Sequence, residues 1–382
     1  MTGSDLTPGT SPAQTNPGPG LDGRLVGLRE RLVCTIMAGG SGTRFWPLST
    51  KAQPKQLLTF LGDRTLLRTT VDRVAPLCDP SRLLVVTAAH LTAAVQADLP
   101  ELPPGHVIGE PVARNTAPCM AVAAMVATQL VPDAILVLLP ADHFVADVDR
   151  FREALLTAAA AADTGAIVLL GVQPTAPETG YGYIELAELG ANATFAVARF
   201  VEKPDLATAT GYLAGGRHLW NAGVFVLRAD VALRALDAHV PAIGAALAPL
   251  RALAPASAAF ATVLCDAFAA CPPVSIDHGV MEQEPDLRAV RLDAGWSDVG
   301  TWQSLVGLRA EADANFVHGQ VIAVDCEDSV LISQGPVVTA LGLRGMAVVA
   351  TKTATLVLPL DRSQDVRAVV AEVQRRGLTD LL

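Results

Sequence analysis

Leu32-Val-Cys-Thr-Ile-Met37 is an uncharged run that empties into Ala38-Gly-Gly-Ser-Gly-Thr-Arg44. An apolar run bounded by glycines reads as a strand buried on both faces of a parallel sheet. Gly39, Gly40 and Gly42 let backbone amides close around phosphate oxygens with no side chain in the way. Familiar phosphate loops do not fit. A P-loop needs Gly-Lys and then Ser or Thr, where this chain has Gly42-Thr43-Arg44. The dinucleotide fingerprint needs a third glycine where Phe45 stands. A nucleophile elbow around Ser41 fails because Thr43 holds the final glycine position. What remains is a glycine bend with Arg44 close behind it and Lys55 further on, in Gln53-Pro-Lys-Gln56.

Outward from this bend the pattern repeats. Apolar runs at Leu83–Thr87, Ala134–Leu139 and Ala166–Gly171 alternate with Ala-rich helical stretches such as 119–130 and 151–162. Strands alternating with helices predict an α/β fold, an open and mostly parallel sheet flanked by helices, with ligands beyond the carboxyl ends of its strands. From about Asn315 the texture changes to short strand-like runs, Gln320–Asp325, Ser329–Ser333, Val337–Leu341, Met346–Ala350 and Thr355–Leu358, then a helix within Ser363–Arg376. This predicts a small all-β domain over 315–382, a compact sheet or a solenoid fragment, after an α/β domain over 25–314. Residues 1–23 hold four Pro, five Gly and six Ser or Thr, so 1–24 is expected to be a flexible tail, with order from near Leu25.

Composition narrows the classes. The 382 residues are 51% hydrophobic and 17% charged, enough for a buried core and too apolar for general disorder. Twenty-eight Lys and Arg against 38 Asp and Glu give −10, which disfavours nucleic acid as a partner. A polyanionic substrate would need local cations or a metal to outweigh this field. The six cysteines form no CxxC and no zinc-ligand spacing, so they are expected to be buried small hydrophobes in a reducing cytosol. No secretory signal is recognisable, and the uncharged stretch Asn115–Pro132 is too weakly hydrophobic to span a membrane. The expected location is cytoplasmic, with no membrane partner. Strand edges in the β-rich part make a homodimer conceivable.

Further candidates for chemistry stand just after the strands. In Leu138-Leu-Pro-Ala-Asp-His-Phe144, Asp142 occupies the place where an open sheet presents a metal ligand, although a helix N-cap would explain it equally well. Ala294-Gly-Trp-Ser-Asp-Val-Gly-Thr-Trp302 offers Asp298. Two carboxylates from separate segments suit a hard divalent cation that keeps waters and takes substrate phosphates. His143 resembles a base but reads more naturally as a packing residue. In Phe200-Val-Glu-Lys-Pro204 and Trp220-Asn-Ala-Gly-Val-Phe225, Lys203 suits an anionic phosphate, while Glu202 and Asn221 suit sugar hydroxyls. Pro204 is expected to hold Lys203 in an extended backbone.

Taken together these segments resemble the sugar nucleotidyltransferases, and most nearly the mannose-1-phosphate guanylyltransferases. The resemblance runs from about Val33 to Arg367. It rests on Gly39-Gly-Ser-Gly-Thr-Arg44, Pro54-Lys-Gln56, Glu110-Pro-Val-Ala-Arg-Asn-Thr-Ala-Pro118, Pro140-Ala-Asp-His143, Gly180-Tyr-Gly-Tyr-Ile-Glu185, Val201-Glu-Lys-Pro204, Trp220-Asn-Ala-Gly223, Ser275-Ile-Asp277 with Val280-Met-Glu282, and Trp296-Ser-Asp-Val-Gly-Thr-Trp302. Phe45-Trp-Pro-Leu48, Arg114-Asn-Thr-Ala-Pro118 and Asp361-Arg-Ser-Gln-Asp-Val-Arg367 look like the guanylyltransferase branch. His278-Gly279 departs from it, since the family more often has an aromatic and a small residue there. The isomerase domain fused to some longer relatives is not expected.

The resemblance implies transfer of GMP from GTP to mannose 1-phosphate, with Mg²⁺ or another divalent cation on Asp142 and Asp298. Arg44, Lys55 and Lys203 would balance the reacting phosphates. Ala38, Gly39, Gly40, Gly42, Thr43, Asn115 and Asp142 would bind the nucleotide, and Gly182, Glu185, Glu202 and Asn221 the sugar. Two alternatives stay open: a guanylyltransferase for another manno-configured sugar phosphate such as a heptose 1-phosphate, or a catalytically silent homologue that binds sugar nucleotide and regulates a partner.

Overall fold

The computed structural model describes residues 21–382 except Ser41, Ala191 and 309–314. Most of the expected tail and the stretch before Asn315 therefore lie outside the described residues. The first helix, Leu21–Arg31, begins a few residues before the expected onset of order.

A nine-stranded sheet runs in the order Val107–Glu110, Leu83–Ala88, Leu32–Ala38, Ile135–Pro140, His218–Arg228, Ile167–Val172, Leu287–Arg291, Phe195–Val201 and Tyr183–Leu186. The opening run is its pivot. Cys34 pairs in parallel with Leu83 on one side and Val137 on the other. Among the described residues only His218–Arg228 and Phe195–Val201 run against the other seven strands. The sheet is mostly parallel in direction, but the long antiparallel strand His218–Arg228 lies between Ile135–Pro140 and Ile167–Val172.

Alternation along each strand divides the core. Leu84, Val86, Leu136 and Leu138 face the helix Thr116–Leu130, whereas Val85, Ile135, Val137 and Leu139 face the helix Val148–Ala162. Both helices are longer than the stretches read from sequence because each has a side-chain N-cap upstream. Asn115 accepts from the Thr116 N–H, and Asp147 from the Arg150 N–H. Such a cap contributes about 1 kcal/mol. Asp147, not Asp142, caps the helix after the fourth strand of the chain. The uncharged stretch from Asn115 is thus a core helix, and among the described residues no single helix is long and apolar enough to cross a membrane.

The C-terminal part is built from parallel rungs. Phe316 pairs with Val330 and Val330 with Ala347, while Val321 pairs with Val338 on a second small sheet. The five expected strands are present, together with Phe316–His318, which is too short to carry a period. The helix Val366–Arg375 follows. Its Val366 and Val373 join a core that also holds Phe45, Trp46, Leu48, Trp302 and Leu360. The β-rich part therefore shares a core with the segment that follows the glycine bend. Cysteine burial holds for Cys34, Cys78, Cys119 and Cys271 but not elsewhere: Cys265 is exposed on its helix and Cys326 is half-buried.

Trp302 is the largest fully buried side chain and packs on Phe45 with ring centroids 4.7 Å apart. Trp302→Ala is expected to cost about 3–5 kcal/mol, read as a lowered urea midpoint, with Trp302→Phe costing much less.

Candidate active site

Lys55 organises the site. Only 5% exposed, it enters a single 3₁₀ turn, Lys55–Leu57, after Pro54. Its Nζ donates to Asp142 Oδ2 at 2.8 Å, to the Asp142 carbonyl at 3.1 Å and to the Asp298 carbonyl at 2.9 Å. The ammonium thereby fills its three donor positions and ties together segments far apart in sequence. Gly42 makes room for it. With φ of +57°, Gly42 lies so close that an added Cβ would stand 2.6 Å from Lys55 Cβ. The Ser49 hydroxyl fixes the Gly42 carbonyl at 2.5 Å.

A two-residue ribbon brings the acids together. Trp296–Ser297 pairs antiparallel with Phe144–Val145, which places Asp142 and Asp298 on the walls of one cavity. Enclosure pushes the Asp142 carboxyl up, but the Lys55 ammonium outweighs it and holds the group below the usual carboxylate range. Asp298 Oδ1 accepts from the Tyr181 hydroxyl at 2.8 Å and from the Gly300 N–H at 2.9 Å. Burial, then the Asp298 charge, raises the Tyr181 phenol well above its ordinary value, so it remains a donor. His143 is no base. Burial takes it down to about 4, and its neutral ring accepts from Trp296 Nε1 at 3.2 Å through Nδ1.

These two acids fit a divalent cation of one kind. In each, the side-chain hydrogen bonds fall on a single oxygen, Oδ2 of Asp142 and Oδ1 of Asp298. Among the described residues no cluster of three or more His, Cys, Asp or Glu would enclose a metal. A pair of carboxylates on an open cavity suits a hard cation that completes its shell with water and phosphate oxygens.

Three cavities meet here. The first lies between Thr43, Arg44, Lys55, Asp142, Asp298 and Gly300, where Arg44 Nη1 donates to the Gly300 carbonyl at 3.1 Å. The second, about 590 Å³, runs from Gly39, Gly40 and Asp142 to Glu110, Asn115 and Cys119. The third is lined by Tyr181, Gly182, Glu202, Lys203, Asn221, Asp277 and Asp298. Asp142 is shared by the first two, and His143 and Asp298 by the first and third.

Most of the expected residues are therefore assembled; two stand outside these cavities, and one departs from its expected backbone. Ala38 is buried behind the bend, its carbonyl taken by Gln56 Nε2 and Thr87 Oγ1, and it lines none of these cavities. Glu185 sits beyond the third cavity, ion-paired with Arg199 at 3.4 Å and near His218 at 3.9 Å, its registry partners on the neighbouring strands. Lys203 is not extended: its φ is +47°, and its ammonium pairs with Glu202 while the Glu202 N–H donates to Glu282. These tertiary contacts override the preference set by the following proline.

Two acids went unassigned in sequence. Glu110 ends the edge strand Val107–Glu110, and burial raises it to about 7. Asp277 accepts from Asn221 Nδ2 at 3.0 Å and is raised to about 6 by burial and then by Glu202. Both lie in quoted motifs, and for Glu110 the usable signal is its place at a strand's carboxyl end.

Residues 33–314 match the model of the Nucleotidyl transferase family. The chain belongs to that family. Residues 319–373 of the transferase match the MannoseP isomerase/GMP-like beta-helix domain, in keeping with the parallel rungs. The transferase is 40% identical over 358 residues to the mannose-1-phosphate guanylyltransferase of Escherichia coli (strain K12), covering 91% of this chain and 75% of that protein. It is 43% identical over 347 residues to the xanthan biosynthesis protein XanB of Xanthomonas campestris pv. campestris (strain B100), covering 90% and 74%. The crystal structure described as mannose-1-phosphate geranyltransferase from Thermus thermophilus superposes with a TM-score of 0.82 at 35% identity, covering 90% of this chain and 99% of that one.

Gly42→Ala is expected to force Lys55 out of its seat. Displacement of about 1 Å costs on the order of 10²-fold, so pyrophosphate release should fall at least that far while the far-ultraviolet circular dichroism stays unchanged.

Proposed function

We propose that the transferase moves GMP from GTP to α-D-mannose 1-phosphate, giving GDP-mannose and pyrophosphate. The observation that carries this reading is the meeting of three cavities at Asp142, His143 and Asp298. A cationic chamber lies between one pocket of nucleoside size and another lined by hydrogen-bonding groups for a polyol. Relatives named mannose-1-phosphate guanylyltransferase supply the substrates.

The nucleophile is a phosphate oxygen, already anionic near neutral pH, so no strong base is required, in agreement with the neutral and engaged His143. Lys55 keeps Asp142 ionised and in place. Tyr181 and the Gly300 N–H orient Asp298. Arg44 faces the leaving pyrophosphate, and Lys203 the sugar phosphate. Gly182 lets the Glu202 carboxylate lie close at the sugar side, since a Cβ there would stand 2.6 Å from Glu202 Oε2. A divalent cation such as Mg²⁺, held by Asp142 and Asp298, would supply charge neutralisation at the reacting phosphates. Glu110 suits the base: guanine offers N1–H and a 2-amino group as adjacent donors, and a carboxylate accepts both.

The decisive measurement is pyrophosphate release across a panel of nucleotides and sugar phosphates. GTP with mannose 1-phosphate should be the best pair, and faster turnover with a heptose 1-phosphate, or none at all, would overturn the reading. Asp298→Asn should lower Mg²⁺-dependent kcat by roughly 10²-fold or more, since several kcal/mol of charge stabilisation is lost, with the thermal midpoint little changed. Glu110 titrates near 7, so its acceptor form grows as pH rises from 6 to 8. KM for GTP should fall across that interval, and Glu110→Gln should flatten the profile and erode preference for GTP over ATP.

A further inference from the structure

Arg367 belongs to the first turn of the helix Val366–Arg375, in the β-rich part, yet it lines the same chamber as Gly42, Thr43, Arg44, Lys55, Asp142 and Asp298. The helix is held against the glycine bend from both sides. Val366 and Val373 pack in the core with Phe45 and Trp46. Beyond the helix, the Leu381 carbonyl accepts from Trp46 Nε1 at 2.8 Å and the Leu382 carbonyl from the Lys51 N–H at 3.2 Å.

No acid answers Arg367. Among the described residues its guanidinium makes no hydrogen bond and no ion pair. Of the two carboxylates in the chamber, Asp142 is engaged by Lys55 and Asp298 by Tyr181 and Gly300. The charge that Arg367 does meet is another cation. Arg44 is lowered by its burial and next by Arg367, and its Nε is buried without a partner. Two guanidiniums lining one open chamber repel each other until an anion of high charge arrives, and their planar forks match phosphate oxygens.

We propose that Arg367 is a second pyrophosphate-binding arginine, delivered by the C-terminal domain, which with Arg44 holds the β- and γ-phosphates of the incoming triphosphate and then the departing pyrophosphate. This rests on the nucleotidyl transfer proposed above. No covalent step is added. The sugar-phosphate oxygen bonds to the α-phosphorus, the bond from that phosphorus to the bridging oxygen breaks, and the electron pair leaves on pyrophosphate, where the N–H groups of Arg367 take up the new charge.

The test compares Arg367→Ala, Arg367→Lys and the unaltered full chain in three measurements. Binding of magnesium pyrophosphate by titration calorimetry should weaken about 10- to 100-fold in Arg367→Ala, the worth of a charge-assisted hydrogen bond, and Arg367→Lys should recover part of it. kcat/KM for GTP forward, and for pyrophosphate in reverse, should fall by a similar factor. KM for mannose 1-phosphate should stay within about twofold, a split that a merely structural residue would not produce. Unchanged pyrophosphate binding, or equal losses on the GTP and sugar-phosphate sides, overturns the proposal. Arg367-dependent pyrophosphate binding by a chain that turns over no GTP would sink the proposed reaction and keep the anion site. Should Arg367→Ala fail to fold, Arg367→Gln takes its place in all three measurements, with a side chain closer in length and the same expected losses.

Discussion

A buried ammonium holds this site together. Burying a charge is costly unless it is paired and its hydrogen bonds are filled, and Lys55 meets that demand with one carboxylate and two carbonyls drawn from two distant loops. The same bonds that satisfy Lys55 fix the position of Asp142 and the backbone of Asp298. The close approach of Gly42 sets the bend against the lysine stem. Glycine bend, lysine and paired acids are thus one mechanical unit, in which each part is confined by the others.

The sheet supplies the frame for that unit. The bend follows Leu32–Ala38, Asp142 follows Ile135–Pro140, and Glu110 ends Val107–Glu110, all at the carboxyl edge of parallel strands. The antiparallel strand His218–Arg228 carries Asn221 to the neighbouring wall, beside Asp277. The three cavities accordingly follow the order of strands across the sheet, with the shared acids where they touch.

Much of this was legible in the residues themselves. Uninterrupted apolar runs marked the parallel strands, because strands buried on both faces leave that signature. Arg44, Lys55, Asp142 and Asp298 stood out because their residue types suit phosphate and metal chemistry. What could not be read was whatever depends on partners far along the chain. Glu185 has the right chemistry for a sugar but is drawn away by Arg199 and His218 across the strands. The Lys203 backbone is set by contacts of Glu202 with Glu282 and by its own ion pair, which a local rule about proline cannot anticipate. Glu110, Asp277 and Arg367 lie in motifs that quote them without a role, and only Glu110 has a local mark, its place at the end of a strand. Burial and neighbours give them meaning.

The common core beneath Phe45, Trp46, Trp302, Val330 and Val366 bears on modularity. Family boundaries cut the chain between 314 and 319, as though two cassettes had been joined. At the level of atoms the seam lies elsewhere. A β-helix exchanged for one of foreign origin would have to reproduce the apolar seat of two aromatic rings and the carbonyls that receive Trp46 and Lys51. Recombination at this junction is therefore constrained by the wall of the chamber beside the glycine bend as much as by the linker.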